Sequence, residues 1–202
     1  ALNIFGKVDY KVETIDDDNK VLNISVEEKP TGEISAGAGT GTQGSTFGFG
    51  VKENNFLGKN ILLDTNLKIS DETIKGKFSI VNPKWNYTDK SLKTTIESTK
   101  TDRSDTHGYE TGVTGFSLAS GWEQYDDVFF TPEISSYHEK LDTNQNASAK
   151  MKKQEGNYFD INFAYSLDLD KRNLRYQTTD GYRSRFNQKI PLVSDDYAFL
   201  NS

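Results

Sequence analysis

Along most of this 202-residue chain, apolar and polar residues alternate with a period of two. The clearest run sets Phe159, Ile161, Phe163, Tyr165, Leu167 and Leu169 against Asp160, Asn162, Ala164, Ser166 and Asp168. Ile61, Leu63, Thr65, Leu67 and Ile69 alternate in the same way with Leu62, Asp64, Asn66 and Lys68, as do the residues of 74–80 and 92–97. Successive side chains of a strand point to opposite faces, so the pattern predicts strands with one apolar and one polar face. Weaker alternation extends it over 109–118, 128–138 and 182–192, and a further strand begins at Tyr197. No stretch keeps a 3.6-residue period for more than two turns, so the chain reads as all-β.

Two segments stand apart at the start. Residues 5–12 and 21–28 form a predicted hairpin around the turn-rich Asp16-Asp17-Asp18-Asn19, and Glu28-Lys29-Pro30 then breaks the pattern. The next strands, over 34–42 and 46–52, are unusual. Glycine at Gly37, Gly39 and Gly41 leaves one face of the first almost bare. A strand with so few side chains has weakly specified register, and glycine there also suits a close backbone approach.

Strand length and the chemistry of the connections point to one architecture. Strands of about ten residues, tilted near 40°, rise about 25 Å, the height of a membrane barrel's apolar band. Sandwich strands are usually shorter. Alternate connections are polar, as in Ser70-Asp71-Glu72-Thr73 and the stretches 99–108 and 142–157. The others carry bulky aromatics: Asn55-Phe56-Leu57-Gly58, Pro83-Lys84-Trp85-Asn86-Tyr87, Trp122-Glu123-Gln124-Tyr125, and 172–182 with Tyr176. In an up-and-down array alternate connections share an end, so one end is wet and the other ringed with aromatics. Such a ring marks a water–lipid boundary. The expected fold is an antiparallel up-and-down transmembrane β-barrel, of which this chain holds about nine to ten strands.

Composition agrees with this and narrows function. Only 34% of residues are hydrophobic and mean hydropathy is −0.72, yet there are 10 Tyr and 12 Phe. A barrel dilutes hydropathy in this way because half of each strand faces a polar lumen. Net charge is −6 with no basic stripe, which excludes nucleic acid as a partner. Without cysteine there is no disulfide framework or thiol nucleophile. No apolar run is long enough for a transmembrane helix. The first residues lack the features of a signal peptide, and both ends look like interruptions of larger units, so a piece of a longer protein is expected.

No catalytic or metal constellation emerges. Gly39-Thr40-Gly41-Thr42-Gln43-Gly44 matches a dinucleotide fingerprint, but a strand follows where that site needs a helix. Asp16, Asp18 and Glu27 fall at calcium-loop positions, yet Val21 stands where the loop requires glycine. His107 and His138 lie on different segments without zinc spacing, and the acidic pairs sit in turns. The chain is expected to be no enzyme and to need no cofactor or metal.

Several motifs, in order, resemble the BamA family of outer-membrane protein assembly factors. They are Glu27-Glu28-Lys29-Pro30-Thr31-Gly32, Gly37-Ala38-Gly39-Thr40-Gly41-Thr42, Asn54-Asn55-Phe56-Leu57-Gly58-Lys59-Asn60, Val81-Asn82-Pro83, Gly108-Tyr109-Glu110-Thr111-Gly112 and Thr179-Asp180-Gly181-Tyr182. In that family periplasmic POTRA domains precede a sixteen-stranded barrel. The resemblance implies that residues 1–29 are the last hairpin of a POTRA domain and 30–202 the first part of the barrel. It implies assembly and insertion of β-barrel proteins at the bacterial outer membrane, with the aromatic connections and the first hairpin in the periplasm. The implied partners are unfolded outer-membrane clients, accessory assembly lipoproteins and the lipid bilayer. The implied seam strand, which would take up a client strand by β-augmentation, comprises Gly32, Glu33, Ile34, Ser35, Ala36, Gly37, Ala38, Gly39 and Thr40. The membrane-interface aromatics are Phe56, Trp85, Tyr87, Trp122, Tyr125 and Tyr176. Thr178 departs from the family, which often has proline there. A TamA-type assembly protein and a two-partner secretion transporter are the nearest alternatives. A passive porin and a soluble β-sandwich binding module are those of another class.

Overall fold

A computed structural model describes residues 4–15, 19–41, 44–174, 176–194 and 200–201. Among the described residues, strands β1 (Phe5–Thr14) and β2 (Lys20–Glu28) pair only with each other. The remaining strands form one ten-stranded antiparallel sheet in strict chain order. They are β3 (Gly32–Gly41), β4 (Gly44–Phe56), β5 (Ile61–Ser70), β6 (Thr73–Asn82), β7 (Ser91–Arg103), β8 (Tyr109–Tyr125), β9 (Val128–Thr143), β10 (Gly156–Asp170), β11 (Arg183–Val193) and β12 (Leu200–Asn201). This is the predicted up-and-down order, with nine full strands and the start of a tenth. The turn at Asp16-Asp17-Asp18, the ends of the first glycine strand at Thr42 and of the last connection at Asp195-Asp196, and the start of the final strand at Tyr197 lie outside the described residues.

Burial is inverted relative to a water-soluble protein. Residues directly opposite one another across a sheet share a face, and register links Asp64, Ser79, Thr95, Ser117, Ser135 and Asn162 in one row over six strands. Four of these are among the most enclosed side chains: Ser79 at 5%, Thr95 at 7%, Ser135 at 4% and Asn162 at 7% exposure. The hydroxyls of Ser79 and Thr95 lie 3.2 Å apart, so burial leaves them paired. A flat sheet would expose both faces alike, so the more enclosed polar face is the concave one. The opposite face carries Leu67, Phe78, Ile96, Phe116 and Ile134, all exposed. Phe159 and Leu67 are 46% and 39% exposed, and among the described residues no second sheet packs on them, which contradicts the sandwich. An apolar outer face with a polar inner one is the arrangement of a barrel wall in lipid.

Two local features differ from the sequence expectation. Trp122 to Tyr125 are not a connection but the end of β8, which runs 17 residues, and Asp126-Asp127 make the turn. Asp127 adopts a φ of +64°, and its N–H donates to Glu123 Oε1 at 2.8 Å. These residues lack alternation because the strand has left the apolar band there. The long connection after β9 holds a short helix, α1 (Ala149–Lys153), whose first turn is capped by Ser148 Oγ accepting from the Met151 N–H. At that end the polar connections interlock: Gly108 O accepts from Asn144 N at 2.8 Å. Gly108 sits at φ +78° with Ala147 backbone against its Cα, so a side chain there would be both strained and obstructed.

Candidate functional site: the exposed edge strand

Strand β3 is the first strand of the large sheet, and every one of its residues is exposed. Among the described residues its only neighbour is β4, in register from Gly32 opposite Glu53 to Gly41 opposite Gly44. Gly32, Glu33, Ile34, Ser35, Ala36, Gly37, Ala38, Gly39 and Thr40 therefore form one continuous edge, with backbone N–H and C=O groups directed away from β4 available for pairing.

Beyond Gly32, whose missing side chain makes room for the Glu53 carboxylate, the glycines of this strand do not relieve crowding. A Cβ built on Gly37, Gly39 or Gly41, or on Gly48 opposite, would meet nothing within 4 Å. Close approach occurs elsewhere. A Cβ at Gly50 would lie 2.7 Å from Ser35 Oγ, and one at Gly115 would enter the ring of Tyr137, directly across the β8–β9 pair. On the polar face of β3 and β4 the glycines thus leave an unoccupied floor. The other face bears only Ile34 and the small Ala36, Ala38 and Thr40 on β3.

One end of the strand is fastened. Thr31 Oγ1 donates to Glu53 Oε1, which also accepts from Asn55 N at 2.7 Å. Asn54 donates to Thr31 O through Nδ2 at 3.1 Å, and Asn55 Oδ1 accepts from Asn60 N at 2.7 Å. The cluster ties the entry of β3 to the β4–β5 turn. The sequence displayed the Asn54-Asn55 motif but gave no signal for Glu53, whose role depends on register across a hairpin.

The aromatic residues gather at the end that β3 enters from, as alternation of the connections requires. Trp85, Tyr87, Tyr125 and Tyr176 are exposed there, Tyr87 completely, whereas Phe56 and Trp122 are half-buried. Trp122 meets Phe130 edge to face, ring centres 5.2 Å apart, with Lys90 Nζ 5.1 Å from the indole. On the polar face of the same end Asp168 accepts from Arg183 and Arg185, and Asp170 from Arg172 at 2.7 Å. The bond from Asp170 pushes the pKa of Arg172, in the connection beyond the strand, further up. This lattice of charge-assisted bonds staples β10 to β11.

Comparison with known proteins gives a consistent result. The Omp85 superfamily domain matches residues 55–202, from the end of β4 onward. The outer membrane protein assembly factor BamA of Neorickettsia risticii (strain Illinois) is 24% identical over 205 residues, covering the whole of this chain and 28% of that protein. The crystal structure of BamA from Haemophilus ducreyi lacking POTRA domains 1–3 superposes with a TM-score of 0.73 at 20% identity, over 96% of this chain and 41% of that one. The chain thus spans well under half the length of either relative. With a matched domain over most of its length and a barrel wall of matching fold, the chain belongs to the Omp85 superfamily.

Proposed function

We propose that this chain is part of a bacterial outer-membrane machine that folds and inserts other β-barrel proteins, and that β3 is the strand to which a client strand adds. The observation that carries the reading is the edge itself: ten exposed residues paired on one side only and fastened at one end. A client strand binding there gains main-chain hydrogen bonds with little demand on its side chains, which suits a machine serving many sequences. The name of the Neorickettsia relative, an assembly factor, supports the same activity. No catalytic chemistry is involved.

In this reading residues 1–29, with the β1–β2 pair, are the last hairpin of a periplasmic POTRA domain, and residues 30–202 begin the barrel. The aromatic end faces the periplasm, where Phe56, Trp85, Tyr87, Trp122, Tyr125 and Tyr176 sit at the lipid boundary. Unfolded outer-membrane proteins are the clients, accessory assembly lipoproteins the partners, and the bilayer the medium of the apolar face.

The test is a disulfide between β3 and the closing strand of the full-length protein. Locking that seam should abolish insertion of a reporter barrel into liposomes, with activity restored by reductant. Normal insertion by the locked protein would remove the proposal.

A further inference from the structure

On the polar wall next to the edge strand, Lys68 of β5 stands directly opposite Lys75 of β6. Like charges in that relationship repel, and a folded sheet usually separates or neutralises them. Here neither lysine makes an ion pair with any described residue, and both are exposed. The nearby acids are engaged elsewhere. Glu72 accepts from Arg103 Nε at 2.8 Å, Asp71 accepts from Ser45 N, and Asp64 accepts from Asn66. Glu97 lies opposite Lys77, one alternate position along, and hydrogen-bonds with Tyr137. Lys52, Lys77 and Lys93 of the same face also lack an ion pair with any described residue, but Lys68 and Lys75 stand directly opposite each other, which makes them a paired cationic spot without a counter-ion.

Its position relative to the edge is specific. Register places Gly37, Gly48, Lys68 and Lys75 in one row across β3, β4, β5 and β6, all on the polar face. Nothing stands over the two glycines. A strand added to the free edge of β3 would lie three strand spacings from β5, about 14 Å. Lys75, on β6, lies a further spacing away at about 19 Å, so Lys68 is the one that can meet an inward-pointing glutamate across the bare floor, with the like charge of Lys75 behind it.

We propose that Lys68, backed by the like charge of Lys75, reads an acidic side chain on the polar face of the client strand, at the position that pairs with Gly37. This inference rests on the client-strand reading of β3 and adds what sets the register. Glycine at 37 and 48 keeps the path open, and the lysine pair rewards the one alignment that places the acid in that row. Because register on a glycine-rich strand is weakly specified by packing, a single directional charge contact is enough to bias it.

The experiment uses the full-length protein in liposomes and short synthetic strand peptides that carry one glutamate, glutamine or lysine at a polar-face position. Binding is read by fluorescence anisotropy, and location by disulfide trapping of a peptide cysteine to Ile34→Cys. The glutamate peptide should bind about threefold to fivefold tighter than the glutamine peptide at low salt, the gain of an exposed ion pair, and the advantage should vanish near about 0.5 M salt. In Lys68→Glu/Lys75→Glu the lysine peptide should become the preferred one. Heat-shifted migration in electrophoresis confirms that each variant is folded, and Lys68→Gln/Lys75→Gln provides a milder change that should equalise all three peptides. Equal binding of trapped glutamate and glutamine peptides to the native protein would overturn the inference while leaving the edge reading intact. Failure to trap any peptide at Ile34→Cys would remove both. A glutamate preference that survives the loss of both lysines would likewise overturn the inference.

Discussion

Thr31 donates a hydrogen bond to Glu53 across the first pair of the large sheet, on the same carboxylate oxygen that accepts the Asn55 N–H. The contact fixes where β3 begins without constraining the rest of it. From Gly37 onward the strand's polar face carries only glycine, so on that face no side chain adds to the main-chain pairing with β4. A strand fastened at its entry and loose beyond can fray in one direction. That is the behaviour a seam needs if it is to open repeatedly without losing its register.

Glu53→Ala should therefore loosen β3 selectively. The amides of β3 should exchange hydrogen about tenfold faster, corresponding to loss of roughly 1–2 kcal/mol of local stability, while those of β5 to β10 stay unchanged. Hydrogen-exchange mass spectrometry of the folded full-length protein reads this directly. Uniform protection across all strands would show that the Thr31–Glu53 contact is incidental.

Gly37→Val has room for its side chain, since nothing lies within 4 Å of the position. The barrel should assemble normally, judged by heat-shifted migration. Insertion of a reporter client should slow several-fold, because valine places branched carbons on the floor beside an incoming strand. Unchanged insertion kinetics would argue against a client passing this strand.

Gly115 and Gly48 make a matched pair. Gly115→Ala would drive its Cβ into Tyr137 and should destabilise by about 1–3 kcal/mol, the cost of overpacking. Gly48→Ala meets open space and should be neutral or slightly stabilising, since glycine within a strand is the weaker residue. Urea midpoints of the two folded variants give the comparison. Equal shifts would contradict the packing described for the β8–β9 pair.

The sidedness of the wall is testable at two consecutive residues. Leu67 lies on the exposed apolar face and Asn66 on the polar one. Leu67→Arg should cost about 2–4 kcal/mol of folding free energy in a bilayer, while Asn66→Arg, facing a wet lumen, should cost far less. Equilibrium folding into liposomes against urea measures both. A larger penalty at Asn66 would turn the sheet inside out.

The strands and their order were legible in the residue pattern alone, because a period of two is a local property of side-chain geometry. The run from Phe159 to Leu169 could be nothing but a two-faced strand, and it is β10. Connections alternating between polar and aromatic likewise told which strand ends lie together. Strand ends were less legible where alternation stops before the backbone pairing does, as at Trp122 to Tyr125. Which face turns inward was beyond any local pattern, since a sandwich alternates identically. That was decided by curvature, which encloses Ser79, Thr95, Ser135 and Asn162 and leaves Phe78 and Ile96 outside. The bare glycines of β3 were visible from the start, but only register could set Glu53 beside Thr31 and Lys68 opposite Lys75. These contacts join residues far apart in the chain, and their geometry exists only once the strands are aligned.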